Sequence, residues 1–385
     1  MNRVYRNTAI AHATGRHLDL DQTVHVTDGR IAWMGPDDES PDPHPAAEVI
    51  DASGATVVPG MVDSHSHTVL PGGAHWIDRI DDPTEVLLAA GEHNGALAYR
   101  AGIRWLRDVG APTRNGRAIS LDVRDAWRNR SDRPYIRAAG AWVERRGQFG
   151  FTISVDDPDD IEKAVTDQID NGADLIKLYI EGPDRETSTW TVSEVERAVA
   201  TATAAGIPVT AHATNLPSVR TAVYGGVSCV EHGTHIDEDT AREMASRGTY
   251  LVPTLGVGAS WETFRSTTTV DRFTGTEAKS RLAERKELSY SSLQLAIDAG
   301  VTIAAGTDFG GGSLRANHLA WEVECLVDAG LEPWQALSSA TWIGGDLLGE
   351  PAAGRIVPGS TADFFLVHGN PLEDPSALWR VWRSD

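Results

Sequence analysis

Short apolar runs rich in β-forming residues recur along the middle of the chain, and most are followed by a stretch with helical periodicity. The eight runs are TVVPGMVDSH, GIRWLRDVG, YIRAAGAW, ADLIKLYI, GIPVTAHAT, GVSCVEHGT, GTYLVPTLG and GVTIAAGTD. Between them, segments such as 192–206 place apolar residues at helical spacing and end on a glycine that suits a helix C-cap. Eight strands alternating with helices predict an α/β fold, the (β/α)8 TIM barrel, over residues 59–350.

The two ends of the chain have a different pattern. Residues 1–58 contain the alternating stretch HLDLDQTVHVTDGRIAWMG with an Asp28-Gly29 turn, which is typical of a β-hairpin. The C-terminal run GRIVPGSTADFFLVHGNP is similar. Because both segments lie outside the predicted barrel, we expect residues 1–58 and 351–385 to pair into one small β-sandwich-like domain.

Composition and charge narrow the class of protein. The chain has 385 residues, is 41% hydrophobic and carries a formal charge of −21, which repels nucleic acid and anionic membranes. It contains no apolar run long enough to span a membrane, and its first residues lack the apolar region of a signal peptide. We therefore expect a cytoplasmic protein that binds a small-molecule substrate, with the formation of a homo-oligomer left open.

Ionisable side chains stand at the ends of several predicted strands. His65 and His67 are two positions apart at the end of the first strand, so their side chains share a face. The other candidates are Lys177 on strand four, His212 on strand five, His232 on strand six and Asp308 on strand eight. Barrel active sites lie at the carboxyl ends of the strands, so these six groups are expected to converge.

Lys177 is the most informative of the six candidates. It is one of four lysines among 34 basic residues, and it lies inside the apolar run LIKLYI. Burial lowers the pKa of a lysine, and a neutral amine can add carbon dioxide to form a carbamate, which a guanidinium cannot. The alternative is a lysine that reaches solvent from the strand end or pairs with Asp174 or Glu181.

The set VDSHSH, LIKLY, TAHAT, VEHGT and AAGTDFG resembles the amidohydrolase superfamily, and within it the imidazolonepropionase-like and prolidase-like (Xaa-Pro dipeptidase) branch. The runs PGMVDSHSH, GIRWLRDVG and GRIVPGSTADFFLVHGNPLED extend the similarity over essentially the whole chain. The resemblance implies two divalent metal ions, most simply Zn²⁺. His65, His67 and Asp308 would bind the first ion, His212 and His232 the second, and N6-carboxylated Lys177 would bridge them.

The implied reaction is hydrolysis of an amide-type C–N bond in a small molecule, such as an N-acyl amino acid, a dipeptide, a cyclic amide or a xenobiotic amide. A metal-bridging hydroxide would attack the carbonyl, and Asp308 would act as proton shuttle. One alternative is a mononuclear deaminase or cyclic-amidine hydrolase of the imidazolonepropionase type, which keeps His65, His67, His212 and Asp308 without Lys177. Another is a non-catalytic ligand-binding barrel, although such proteins ordinarily lose metal ligands.

Loop residues supply candidates for substrate binding. Tryptophans suggest an apolar or aromatic substrate group, and arginines suggest a carboxylate. The loops contain Trp76, Trp142, Trp190, Trp261, Arg145, Arg146 and Arg185. Tyr179 shares a face with Lys177, where it either donates to the oxyanion or simply packs.

Four further polar residues have structural alternatives to a direct role. His235 either faces the substrate or lies exposed in a loop. Asp63 and Asp108 are expected to brace strand ends by hydrogen bonds rather than to catalyse. His318 either supports the metal ligands or begins a helix.

Overall fold

Strands and helices alternate along the middle of the chain, as the apolar pattern predicts. The computed structural model describes residues 2–145, 153–182 and 186–384. The strands are β1 (Arg3–Ile10), β2 (Asp19–Thr27), β3 (Arg30–Pro36), β4 (Glu48–Asp51), β5 (Ala55–Pro59), β6 (Met61–Ser66), β7 (Ile103–Asp108), β8 (Thr113–Arg114), β9 (Arg117–Ala118), β10 (Tyr135–Ala138), β11 (Trp142–Glu144), β12 (Ile153–Ser154), β13 (Ile176–Tyr179), β14 (Val209–Ala213), β15 (Cys229–His232), β16 (Tyr250–Val252), β17 (Phe364–His368) and β18 (Val381–Arg383).

Helices follow most of the central strands. They are α1 (Thr84–Arg100), α2 (Ile119–Trp127), α3 (Ile161–Asp170), α4 (Val192–Ala204), α5 (Leu216–Tyr224), α6 (Glu238–Arg247), α7 (Leu255–Thr263), α8 (Gly275–Ala299), α9 (Leu319–Asp328), α10 (Pro333–Ser339) and α11 (Trp342–Leu347). A capping box, in which Thr191 and Glu194 satisfy each other's backbone N–H, begins α4. None of the described helices has the length and apolarity that a membrane span requires.

The central strands form two parallel sheets. One contains β10, β7 and β6, and the other contains β12, β11, β13, β14, β15 and β16 in that order. The eighth apolar run lies between them: Ile303 bridges Leu251 of β16, and Phe309 bridges Ser66 of β6. Thus the segment that carries Asp308 joins the edge strands of both sheets, which sets it beside β6.

Fewer contacts are described where β10 of the first sheet meets β11 and β13 of the second sheet. The third apolar run divides into β10 and β11 at Gly140, which has a φ of 79° and whose hypothetical Cβ would lie 2.6 Å from Gln168 Oε1. Between β10 and the run that leads into β13, Asp174 N–H donates to Ala138 O at 2.8 Å. The α/β class is confirmed, whereas the described residues form two sheets rather than one continuous barrel, so a closed barrel stays a prediction.

The two chain ends share one sheet. Its seven strands run β18-β17-β5-β1-β2-β3, with β4 paired to β1, and β17 is antiparallel to β5. Its own apolar cluster includes Tyr5, Val24, Ile31 and Phe364. The described strands here form a single mixed sheet, whereas a sandwich needs two. The domain limits at 58/59 and 350/351 stay predictions.

Candidate active site

All six predicted ligands line one cavity at the carboxyl ends of the parallel strands. The space between its walls, counted with the part that is open to solvent, is about 760 Å³. The residues that meet there are His65 on β6, His67 just beyond it, Lys177 on β13, His212 on β14, His232 on β15 and Asp308 after the eighth apolar run. Parallel strands in register place their carboxyl ends at one edge, which explains the convergence.

Asp308 lies against both histidines of the first strand. Its Oδ1 is 3.2 Å from His67 Nε2 and 3.5 Å from His65 Nε2. Ligand atoms of His65, His232 and Asp308 all lie within 4.8 Å of one another, and the rings of His212 and His232 are 4.6 Å apart. This triad combines His65 and Asp308, which were predicted to bind the first ion, with His232, which was predicted to bind the second. Nitrogen and carboxylate oxygen donors at this spacing are a donor set that suits Zn²⁺.

Each of the four histidines uses one ring nitrogen for a protein partner. The pairs are His65 Nδ1 with Glu231 Oε2 (2.7 Å), His67 Nδ1 with Gly110 O (2.8 Å), His212 Nε2 with Glu181 Oε2 (3.2 Å) and His232 Nδ1 with Thr254 Oγ1 (2.7 Å). Such partners fix the tautomer and leave the other nitrogen to a metal ion. Burial, with His212 and His65 nearby, holds the pKa of His232 well below its ordinary value, which keeps this imidazole neutral.

Asp308 is held as an anion in a constrained backbone conformation. Burial opposes its ionisation, but His65 and His67 hold the pKa of Asp308 well below its usual range. Its φ is 56°, an uncommon value for a residue other than glycine. Gly306 permits this approach, because a Cβ there would lie 2.7 Å from His65 N. The carboxylate is therefore placed by close backbone packing between strands.

Lys177 is buried without a hydrogen-bond partner for Nζ among the residues that the structure describes. Its exposed fraction is 1%, and burial lowers the pKa of its amine to about 8. The predicted alternative partners are engaged elsewhere: Asp174 accepts from Arg124, and Glu181 faces His212. An unsatisfied buried donor costs roughly 1–3 kcal/mol, so the amine fits a site where a further group joins it.

A buried charge network lies under the cavity and was not predicted from the sequence. Glu231 is fully buried, and its Oε1 accepts from Arg107 Nη1 at 2.6 Å and from Thr210 Oγ1. Burial opposes its ionisation, but Arg107, Lys177 and His65 hold the pKa of Glu231 well below its ordinary value. Strand alternation would turn Glu231 away from the face of its neighbour His232. Because His232 has a φ of 71°, the alternation breaks, and both side chains approach His65.

The predicted aromatic residues mostly line the cavity. Trp76, Trp142, Tyr179 and Trp261 lie in its wall. Tyr179 stacks on the ring of His212 at 4.2 Å, and Trp190 supports it from behind by donating to Tyr179 O at 3.0 Å. Tyr179 therefore packs against its neighbours, as one of its two predicted roles requires. Donation of a hydrogen bond from Tyr179 to the oxyanion stays a prediction.

Other predicted residues lie elsewhere. Arg145 is buried and paired with Glu194, and it is absent from the cavity wall formed by the described residues. This ion pair directs the guanidinium of Arg145 toward α4, and a substrate contact by Arg145 stays a prediction. His235 is half-buried and also absent from that wall. Arg146 and Arg185 lie outside the described residues.

Three residues with alternative structural roles take those roles. His318 is the N-cap of α9, with its ring 5.6 Å from Trp379. Asp63 accepts from Thr307 Oγ1 at 2.6 Å, and Asp108 accepts from Thr68 N–H at 2.7 Å. Asp63 and Asp108 therefore brace the loops around the site.

Two arginines in the cavity wall were not predicted. Arg272 and Arg285 both face Trp261, with guanidinium carbons 5.6 Å and 5.3 Å from its ring centroid. Arg285 lies in α8, and the preceding segment contains α7, although the sequence suggested a loop there. The sequence contains a signal for Arg272, because it follows shortly after Trp261, a predicted candidate for substrate binding.

Comparison with known proteins gives consistent matches. A model of the Amidohydrolase family matches residues 56–382. An uncharacterized protein of Mycobacterium tuberculosis is 29% identical, with 95% of this chain and 92% of that protein covered. The imidazolonepropionase of Salinispora tropica is 27% identical, with coverage of 95% and 89%.

Solved structures show the same fold. A Xaa-Pro dipeptidase with bound methionine in its active site has a TM-score of 0.85 at 24% identity, over 99% of this chain and 97% of that chain. The ochratoxinase of Aspergillus niger has a TM-score of 0.81 at 20% identity, with coverage of 100% and 93%. The resemblance identified from the sequence motifs is confirmed by these matches.

Proposed function

Because this chain belongs to the amidohydrolase family and is a hydrolase of C–N bonds, we propose that it is a binuclear metal-dependent enzyme that cleaves the amide bond of a small molecule. The observation that carries this proposal is the buried Lys177 amine, which lacks a hydrogen-bond partner among the described residues beside four histidines and Asp308. A mononuclear centre does not need a bridging ligand, and so does not need a lysine at this position.

We assign the cavity residues to two proposed ions. His65, His67 and Asp308 would hold the first, His212 and His232 the second, and carboxylated Lys177 would supply one oxygen to each. When bound, the ions would acidify water and polarise the substrate carbonyl. The protein side chains fix the ligand geometry, since every histidine is oriented by its second ring nitrogen.

Asp308 is proposed to carry the proton. Its carboxylate is anionic and lies at the cavity wall. It would accept a proton from the attacking water and donate that proton to the leaving amine, which a general acid–base group must do in sequence. Cleavage then yields a carboxylic acid and an amine.

The number of ions tests the binuclear centre. Protein prepared with zinc and bicarbonate is expected to bind about two ions per chain, because the donors divide between two sites. Metal analysis of the purified protein measures this number. A value fixed at one would favour the mononuclear deaminase or cyclic-amidine hydrolase, which keeps His65, His67, His212 and Asp308 as ligands.

The substrate is proposed to combine an apolar or aromatic group with an anionic one. Trp76, Trp142 and Trp261 offer flat apolar surfaces, and Arg272 and Arg285 bring positive charge to the same cavity. N-acyl amino acids and dipeptides have this combination, and a dipeptide is the substrate that the name of the Xaa-Pro dipeptidase gives for that protein. A cyclic or xenobiotic amide without an anionic group would lack a partner for the positive charges of Arg272 and Arg285.

Replacing Arg272 or Arg285 with methionine is expected to lower kcat/KM for N-acyl amino acids by about 10- to 100-fold. A hydrogen bond to a charged partner contributes roughly 1.5–3 kcal/mol, and each 1.4 kcal/mol corresponds to about tenfold. The corresponding N-acyl amino acid amides, which lack the carboxylate, should lose much less. Arg265→Met, at an exposed position outside the cavity wall, is the matched control. Equal losses on both substrate series would contradict carboxylate recognition.

A further inference from the structure

Two buried glutamates contact the metal-site histidines, and neither was identified from the sequence as part of the site. Glu231 has an exposed fraction of 0% and its Oε2 is 2.7 Å from His65 Nδ1. Glu181 has an exposed fraction of 1% and its Oε2 is 3.2 Å from His212 Nε2. The two contacted histidines belong to different ions in the proposed centre.

Two donors hold one oxygen of the first glutamate. Arg107 Nη1 donates to Glu231 Oε1 at 2.6 Å and also to Ser64 O at 3.1 Å, directly before His65 in the chain. Thr210 Oγ1 donates to the same Glu231 oxygen. Because Arg107 and Thr210 occupy Oε1, the other oxygen is directed at the imidazole of His65.

The second glutamate is fixed by backbone rather than by an arginine. Glu181 Oε1 accepts from the N–H of Thr214 and from the N–H of Asn215 at 3.1 Å, both just beyond β14. Because the two backbone donors occupy Oε1, the other oxygen of Glu181 is directed at His212.

We infer that Glu231 and Glu181 are positioning residues that each serve one metal site, Glu231 through His65 and Glu181 through His212. The inference rests on the proposed binuclear function. A carboxylate on the far nitrogen of a metal-bound imidazole holds the ring in one orientation and tautomer and increases the basicity of the nitrogen that faces the ion. Since each glutamate contacts a different histidine, the two sites can be weakened separately.

The test substitutes each glutamate in turn and measures the affinity of the protein for each of the two metal ions. Glu231→Gln and Glu181→Gln keep side-chain length and remove the charge. Cobalt is titrated into metal-free protein in competition with a chelator, and its visible absorption distinguishes the two bound ions by their ligands. Each variant is expected to weaken a different ion by about 10- to 100-fold and to leave the other within about twofold. The double variant should weaken both by the same factors.

Controls separate positioning from a loss of folding. Thr210→Val removes one of the two donors to Glu231 Oε1, but Arg107 still holds that oxygen and the contact with His65 remains, so both ions should bind nearly as in the wild type. Glu231→Gln leaves Arg107 buried without its carboxylate, which is destabilising. If that variant does not fold, Arg107→Met combined with Glu231→Gln removes both charges and should still weaken one ion selectively.

The outcomes are distinct. If the wild type binds two ions but both glutamine variants weaken the same ion, or weaken neither, the inference is wrong and the binuclear centre stands. If the wild type binds only one ion, the binuclear proposal itself fails. Selective weakening of different ions by the two variants supports both.

Discussion

Asp308→Asn is expected to reduce kcat by about 10²- to 10⁴-fold while substrate binding and at least the second ion are largely retained. Asparagine has nearly the same shape, so the backbone packing of Gly306 on His65 should persist. What asparagine lacks is a group that accepts a proton at neutral pH, and a positioned proton carrier typically contributes that factor. Steady-state kinetics measures the loss.

Metal content must be determined on the same sample, because Asp308 is also a proposed ligand. Asp328→Asn, on the exposed side of α9, is the matched control and should leave kcat unchanged. An Asp308→Asn protein that keeps its ions and more than about a tenth of the wild-type kcat would show that another group carries the proton.

Lys177→Arg is expected to fold, to lose the second ion and to lose activity by at least about 100-fold. A guanidinium cannot form a carbamate, so the two oxygens proposed to bridge the ions are absent. Removing a metal ion that polarises the substrate takes away several kcal/mol of stabilisation, at about 1.4 kcal/mol per tenfold in rate. Metal analysis and kinetics on one preparation measure both effects.

A direct signature of the carbamate accompanies this variant. Wild-type protein prepared with ¹³C-labelled bicarbonate and zinc should give a carbamate resonance by NMR that Lys177→Arg lacks. Lys163→Arg, at an exposed position paired with Asp167, is the control and should keep the resonance. Two bound ions and normal turnover in Lys177→Arg would refute the bridging role.

The sequence by itself determined the α/β class and the six candidate ligands. The apolar runs and the helical segments have local periods, so strands and helices follow from short stretches of chain. His65 and His67 share a face because side chains alternate along a strand, and the carboxyl ends of parallel strands meet. This reasoning requires only that the runs become neighbouring strands, and all six residues line the cavity.

The tertiary structure decided which side chains surround those ligands. The contact of Glu231 with His65 depends on the register of strands distant in sequence and on the positive φ of His232, which breaks the alternation. Arg145 turned out to pair with Glu194, and Arg285 reaches the cavity from α8. Local patterns carry no information on such contacts, because they depend on how separate elements pack in three dimensions.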